Sequence, residues 1–66
     1  MHMKITNLVQ DMTQMLSDVA DDADKFEIHG NNLAGSRVRK VMQKIKSMAQ
    51  EVRIEVLAIQ KERKEK

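Results

Sequence analysis

Six basic side chains, Arg37, Arg39, Lys40, Lys44, Lys46 and Arg53, are the residues of this chain whose type and spacing point to a defined chemistry. Arg39, Lys46 and Arg53 recur every seven residues, which stacks them along one helix. Lys40 adjoins them, and Arg37 and Lys44 line a further row. Together they form a cationic ridge about four turns long. Guanidinium and ammonium groups held this way suit phosphate oxygens. No aromatic residue is interleaved with them, so the ridge has nothing on which to stack a base. Its contacts would position a polyanion without reading a sequence.

Other chemistries find no support. Ser17, Ser36 and Ser47 have no histidine at helical spacing, and no glycine-rich phosphate loop is present. Asp18, Asp21, Asp22 and Asp24 lie on the exposed side of an acidic helix and would stay ionised. Carboxylate catalysis needs a cleft that shifts one of a pair, which a short hairpin does not offer. The same acids lack the alternating Asp/Asn loop with a glycine that calcium sites use. His29 reads as a polar corner residue, with only His2 for company. There is no cysteine, hence no disulfide and no cysteine zinc site. The expectation is a protein that is no enzyme, with no cofactor, no metal and no small-molecule substrate.

The elements that carry the ridge follow from periodicity. A chain of 66 residues is a single domain, 1–66, and buries little surface alone. It has no proline, tryptophan or tyrosine, one phenylalanine and two glycines, and is rich in helix formers. In the first arm, heptad position a holds Ile5, Met12, Val19 and Phe26, d holds Leu8, Met15 and Asp22, and e holds Val9, Leu16 and Ala23. In the second arm, a holds Val38, Ile45, Val52 and Ile59, d holds Val41, Met48 and Glu55, and e holds Met42, Ala49 and Val56. Asp22 and Glu55 are placed at the edges of these stripes. Matching stripes of this kind predict two amphipathic helices. Thr6 or Asn7 could cap the first, or it could start at Met3; Asn31 or Asn32 could cap the second. Gly30 suits a left-handed helix end, and the short loop makes the arms antiparallel. Gly35 would cost up to about 1 kcal/mol inside a helix, unless it permits close packing, for which Phe26 is a candidate.

The reading is therefore all-α: an antiparallel two-helix hairpin, with helices near 3–29 and 33–63. One hairpin leaves the e row exposed, so two are expected to pair as a dimeric four-helix bundle through Val9, Leu16, Met42 and Val56. Ile54 and Leu57 lie off this stripe and suggest a second contact between chains. Residues 1–30 carry two lysines against six acids, and residues 31–66 carry ten basic residues against four acids. That asymmetry hints at nucleic acid or a membrane surface, or at two complementary arms, with Asp18 and Lys44 as one candidate pair. No segment is apolar for the length a bilayer requires, so no membrane partner is expected. Met1-His2 reads as a cloning remnant before a native start at Met3, and residues 61–66 as a frayed basic tail.

One further pattern bears on function. The succession Asp24-Lys25-Phe26, Gly30-Asn31, Ala34-Gly35, Arg37-Val38-Arg39-Lys40, followed by Met42-Gln43, Ile45-Lys46 and Ala49-Gln50-Glu51-Val52-Arg53, resembles the bacterial linker-histone-like family first known from chlamydiae. It is closest to the short stand-alone members, over about residues 5–60. The resemblance implies a cytoplasmic nucleoid protein that binds double-stranded DNA without sequence specificity, through Arg37, Arg39 and Lys40. Asn32 and Leu33 stand where the family pattern has Lys-Ala, and the long Lys/Ala-rich tail of larger members does not follow. Weak or assembly-dependent binding is thus the expectation, with bridging or compaction left to an oligomer. The alternative is a small coiled-coil adaptor or chaperone that docks a partner helix on Ile54 and Leu57 and treats the basic ridge as a solvated face.

Overall fold

A computed structural model describes residues 3–64 of the 66-residue chain. Two α-helices make up nearly all of it, α1 over Lys4–Glu27 and α2 over Asn32–Lys64, and the described residues form no strand. The helices pack against each other as an antiparallel hairpin, a rod of 55 × 15 × 12 Å.

The corner is built from backbone hydrogen bonds. The Gly30 N–H donates to the Phe26 carbonyl at 3.1 Å, and the Asn31 N–H reaches back to the Lys25 carbonyl at 3.0 Å. These bonds take up carbonyls that the helix end would leave without a partner. They also close α1 at Glu27, two residues before the expected 29. Gly30 has φ of 67°, a left-handed conformation that glycine adopts without strain. Asn31 settles the capping question: its Oδ1 accepts the Ala34 N–H at 3.1 Å, three residues into the turn. Asn32 is already the first residue of α2.

At its other end α1 begins at Lys4 on Met3, without a side-chain cap. Thr6 and Asn7 lie inside the helix and do not cap it. α2 runs through Lys64, one residue past the expected 63. Lys61, Arg63 and Lys64 occupy its last turn, where cations meet the negative end of the helix dipole and favour helix. Met1-His2, read as a remnant, and Glu65-Lys66 of the tail lie outside the described residues.

Rows a and d turn inward. Ile5, Leu8, Met12 and Met15 are half-buried, as are Val38, Val41, Ile45, Met48 and Val52. Only Val19, Ala34 and Ile59 are buried outright. The e row divides: Val9 and Leu16 are each 48% exposed and Met42 is exposed, whereas Ala49 and Val56 are half-buried. Asp22 and Glu55 are half-buried members of the d row. Phe26, placed in the a row by periodicity, is also half exposed. It sits at the corner, where its ring covers Gly35. A Cβ at position 35 would stand 2.5 Å from Phe26 Cδ1 and 2.8 Å from Cε1. The glycine therefore permits the close approach of the two arms.

Gly35→Ala should show this directly. Ala is the better helix former by about 0.5–1 kcal/mol, but the overpacked ring costs about 1–3 kcal/mol. A net loss of about 1 kcal/mol is expected in urea unfolding followed by circular dichroism. In a Phe26→Ala background the same change should become stabilising. A destabilisation that persists without the ring would show that Phe26 is not what position 35 accommodates.

Candidate nucleic-acid interface

Where charges sit on the hairpin is decided by register. Arg37 reaches across from α2 to α1: its Nη2 donates to Asp22 Oδ1 at 2.9 Å and its Nε to the same oxygen at 3.1 Å. This is the cross-hairpin ion pair among the described residues. With Asp22 level with Arg37, Asp18 comes level with Val41, almost a turn short of Lys44. The expected Asp18–Lys44 pairing is accordingly not formed; Asp18 Oδ1 accepts from Gln14 Nε2 at 2.8 Å instead. Asp21 is met by Lys25 one turn on, at 3.1 Å.

The ion pair leaves a mark on both groups. The hydrogen bond from Arg37 holds the Asp22 carboxyl below its ordinary value of 3.8. Desolvation opposes this, and the charges of Arg37 and Lys25 add to it. The Arg37 guanidinium is raised by the same hydrogen bond and charge, and stays protonated throughout. Acid concentrated toward the end of α1 opposes the helix dipole. Arg37 and Lys25 offset that at Asp22 and Asp21.

Arg37, assigned to the cationic ridge by its spacing, is thus engaged within the hairpin while keeping an exposed edge. Arg39, Lys40, Lys44, Lys46 and Arg53 are exposed and make no ion pair among the described residues. They do not form one ridge. Arg39, Lys46 and Arg53 occupy heptad position b, beside the partly exposed apolar e row. Arg37 and Lys44 occupy g, roughly 140° away around the helix, on the side of the acids of α1. Lys40, at c, lies between them and lines a shallow cleft with Asp18, Asp22, Arg37 and Val41. Its outer side shares a second depression with Ser36, Arg39 and Gln43. The corner therefore brings Arg39 and Lys40 together.

The b row is the part of this surface best suited to phosphate. Its three cations are about 10.5 Å apart and span about 21 Å. That corresponds to roughly six base-pair steps of 3.4 Å. The helical last turn adds Lys61, Arg63 and Lys64, which a frayed tail would have left undirected. Their signal in the sequence was the dipole complementarity of basic residues at a helix C-terminus. No cluster of His, Cys, Asp or Glu able to hold a metal occurs among the described residues. No helix among them is long and apolar enough to cross a membrane. The α2 e row beside the b row is apolar and open at Met42, whereas Asp18 and Asp22 lie on the opposite flank.

Compared with known proteins, the chain matches a sequence model of one family, described as histone H1-like protein Hc1, over residues 6–62. No curated protein and no solved structure matches it. The span of the match takes in both helices and the corner.

The Asp22–Arg37 pair makes stability depend on pH with a definite sign. A carboxyl whose folded value is depressed contributes stability that is complete above its unfolded value, here 3.8, and is lost as pH falls through the lower folded value. Acid unfolding of the hairpin should therefore have a component below about pH 4 that Asp22→Asn removes. Thermal midpoints measured between about pH 2 and 7 test it. An unchanged difference between the two proteins across that range would mean that the pair contributes no pH dependence.

Proposed function

The chain belongs to the family of histone H1-like protein Hc1, and on that premise we propose that it binds double-stranded DNA without sequence specificity, by phosphate contacts from the outer face of α2. The family is one of structural DNA-packaging proteins, so the chain is a DNA-binding structural protein and no enzyme. Its place in this reading is the nucleoid, in the cytoplasm.

The observation that carries the reading is the b row. Arg39, Lys46 and Arg53 are evenly spaced, exposed and free of ion pairs among the described residues. Lys40 and Lys44 extend the cationic surface toward the outer and acidic sides. Arg37 acts chiefly in the hairpin. A helix with no aromatic on its outer face can hold a backbone but has nothing with which to read base edges, so affinity is electrostatic and sensitive to salt.

Self-association completes the proposal. Val9, Leu16, Met42 and Val56 line the open flank of the hairpin, and a second hairpin laid on them makes a four-helix bundle. The b row borders that flank, so pairing places two cationic rows on one particle and raises avidity for a long polyanion. A dimer of this kind can bridge or compact duplexes.

Binding should obey counterion release. About three phosphates neutralised by one row imply a slope near −3 for log affinity against log salt, and six for a dimer imply about −5. Fluorescence anisotropy on two unrelated duplexes between about 50 and 200 mM salt measures it. Reversing Arg39, Lys46 and Arg53 to glutamate should abolish binding with helicity intact, whereas Arg37→Gln should lower stability and largely spare binding. Retained affinity in the triple variant would remove the b row from the interface. Leu16→Lys should convert the dimer to single hairpins by sedimentation and bring the slope from about −5 toward −3. A wild-type protein that sediments as one hairpin at all concentrations would eliminate the dimer.

A further inference from the structure

The two ends of the rod carry complementary surfaces. At the corner, Asp21, Asp24 and Ile28 lie on one outward face of α1, separated by three and then four residues. Ile28 is just past the helix end but keeps helical angles, φ −90° and ψ −40°, and is 70% exposed. At the far end, Lys64, Lys61 and Leu57 lie on one outward face of α2. Read backwards along the chain, they too are separated by three and then four residues. Leu57 is 64% exposed. Asp24, Lys61 and Lys64 make no ion pair among the described residues, and the Asp21–Lys25 bridge is solvent-exposed.

We propose that these two surfaces bind each other between copies of this chain, joining hairpins head to tail. Set antiparallel, α1 of one copy and the last turns of α2 of the next bring Asp21 opposite Lys64, Asp24 opposite Lys61 and Ile28 opposite Leu57. An apolar pair is thus flanked on one side by two ion pairs. Within a rod of 55 Å the two ends are too far apart to meet, so the contact forms only between molecules.

The geometry also fixes the symmetry. α1 and α2 are already antiparallel inside each hairpin, so an antiparallel α1–α2 contact leaves successive copies pointing the same way. The operation is a translation rather than a dyad, and such a contact does not close on itself. The step follows from register. Asp24 is level with Gly35 within a hairpin and with Lys61 across the contact. Those positions are 26 residues apart, or about 39 Å along a helix. Each added copy lengthens the particle by that amount. The open apolar flank stays free, so this contact and the dimer described above can coexist. The surfaces are small, so the association is weak and transient, and it requires no nucleic acid.

The test is a charge exchange on nuclease-treated protein without DNA, at low salt and up to several hundred micromolar. The wild type should grow with concentration beyond the dimer by light scattering, and X-ray scattering should show the rod lengthening by about 39 Å per step. Asp24→Lys and Lys61→Glu should each stop growth at the dimer while keeping wild-type helicity. Mixed in equal amounts they should resume it, because the altered corner of one accepts the altered end of the other. The double variant Asp24→Lys/Lys61→Glu should likewise grow alone. The proposal is overturned by a wild-type mass that levels off at the dimer or hairpin, by a single variant that grows as the wild type does, or by a mixture that fails to resume growth. The variant Arg39→Glu/Lys46→Glu/Arg53→Glu, which the nucleic-acid reading expects to lose DNA, should still grow as the wild type does, and this keeps the two proposals distinguishable.

Discussion

Two helices laid side by side share one seam, and everything else in this molecule answers to that limit. A rod 12 Å thick is one helix deep. Each helix can turn only a narrow stripe toward its neighbour, and the third apolar position of each heptad is left at the rim. The consequence is visible in the burial pattern: Val19, Ala34 and Ile59 are covered, the rest of the a and d rows are half-covered, and Val9 and Leu16 are open. A domain of this size with no disulfide and so small an interior is marginal alone. In the proposed dimer, association on the apolar flank adds to that burial.

Charge is distributed by the same geometry. The acids of α1 crowd toward its C-terminal end, where the dipole disfavours them, and the hairpin corrects this with one cation from α2 and one from α1 itself. Arg37 is the cation from α2 because it faces the inner edge near the corner. Cations at b and c face outward and remain available. A single ion pair thus separates residues that hold the hairpin from residues that can meet a polyanion, although both kinds belong to the same Arg-x-Arg-Lys run.

Much of this was legible in the residues. Apolar spacing gave both helices, and the two glycines gave the corner, because periodicity and left-handed angles are local properties. Even the Phe26–Gly35 contact could be inferred, since a glycine inside a helix needs a neighbour to explain it. What could not be read locally was register. The sequence offered Asp18 with Lys44; the fold paired Asp22 with Arg37, a difference of almost one turn in register. The choice between Asn31 and Asn32 as cap turned on a single residue of loop length. The end of α2 falls within one residue of the expected 63, at Lys64, where basic residues meet the negative end of the dipole. The spacing offered the cations as one set; their division into an inner and an outer group follows from the register that puts Arg37 on Asp22.

The corner has a kinetic meaning as well. Four residues separate α1 from α2, and closing so short a loop takes on the order of 10–100 ns. Contacts between the arms can then grow outward from the corner with no further long loop to close. Helical folds dominated by local contacts form within microseconds to milliseconds. A partner, whether another hairpin or a polyanion, therefore encounters a structure that is already made. The slow step in building anything larger is collision, and local protein concentration becomes the variable that governs it.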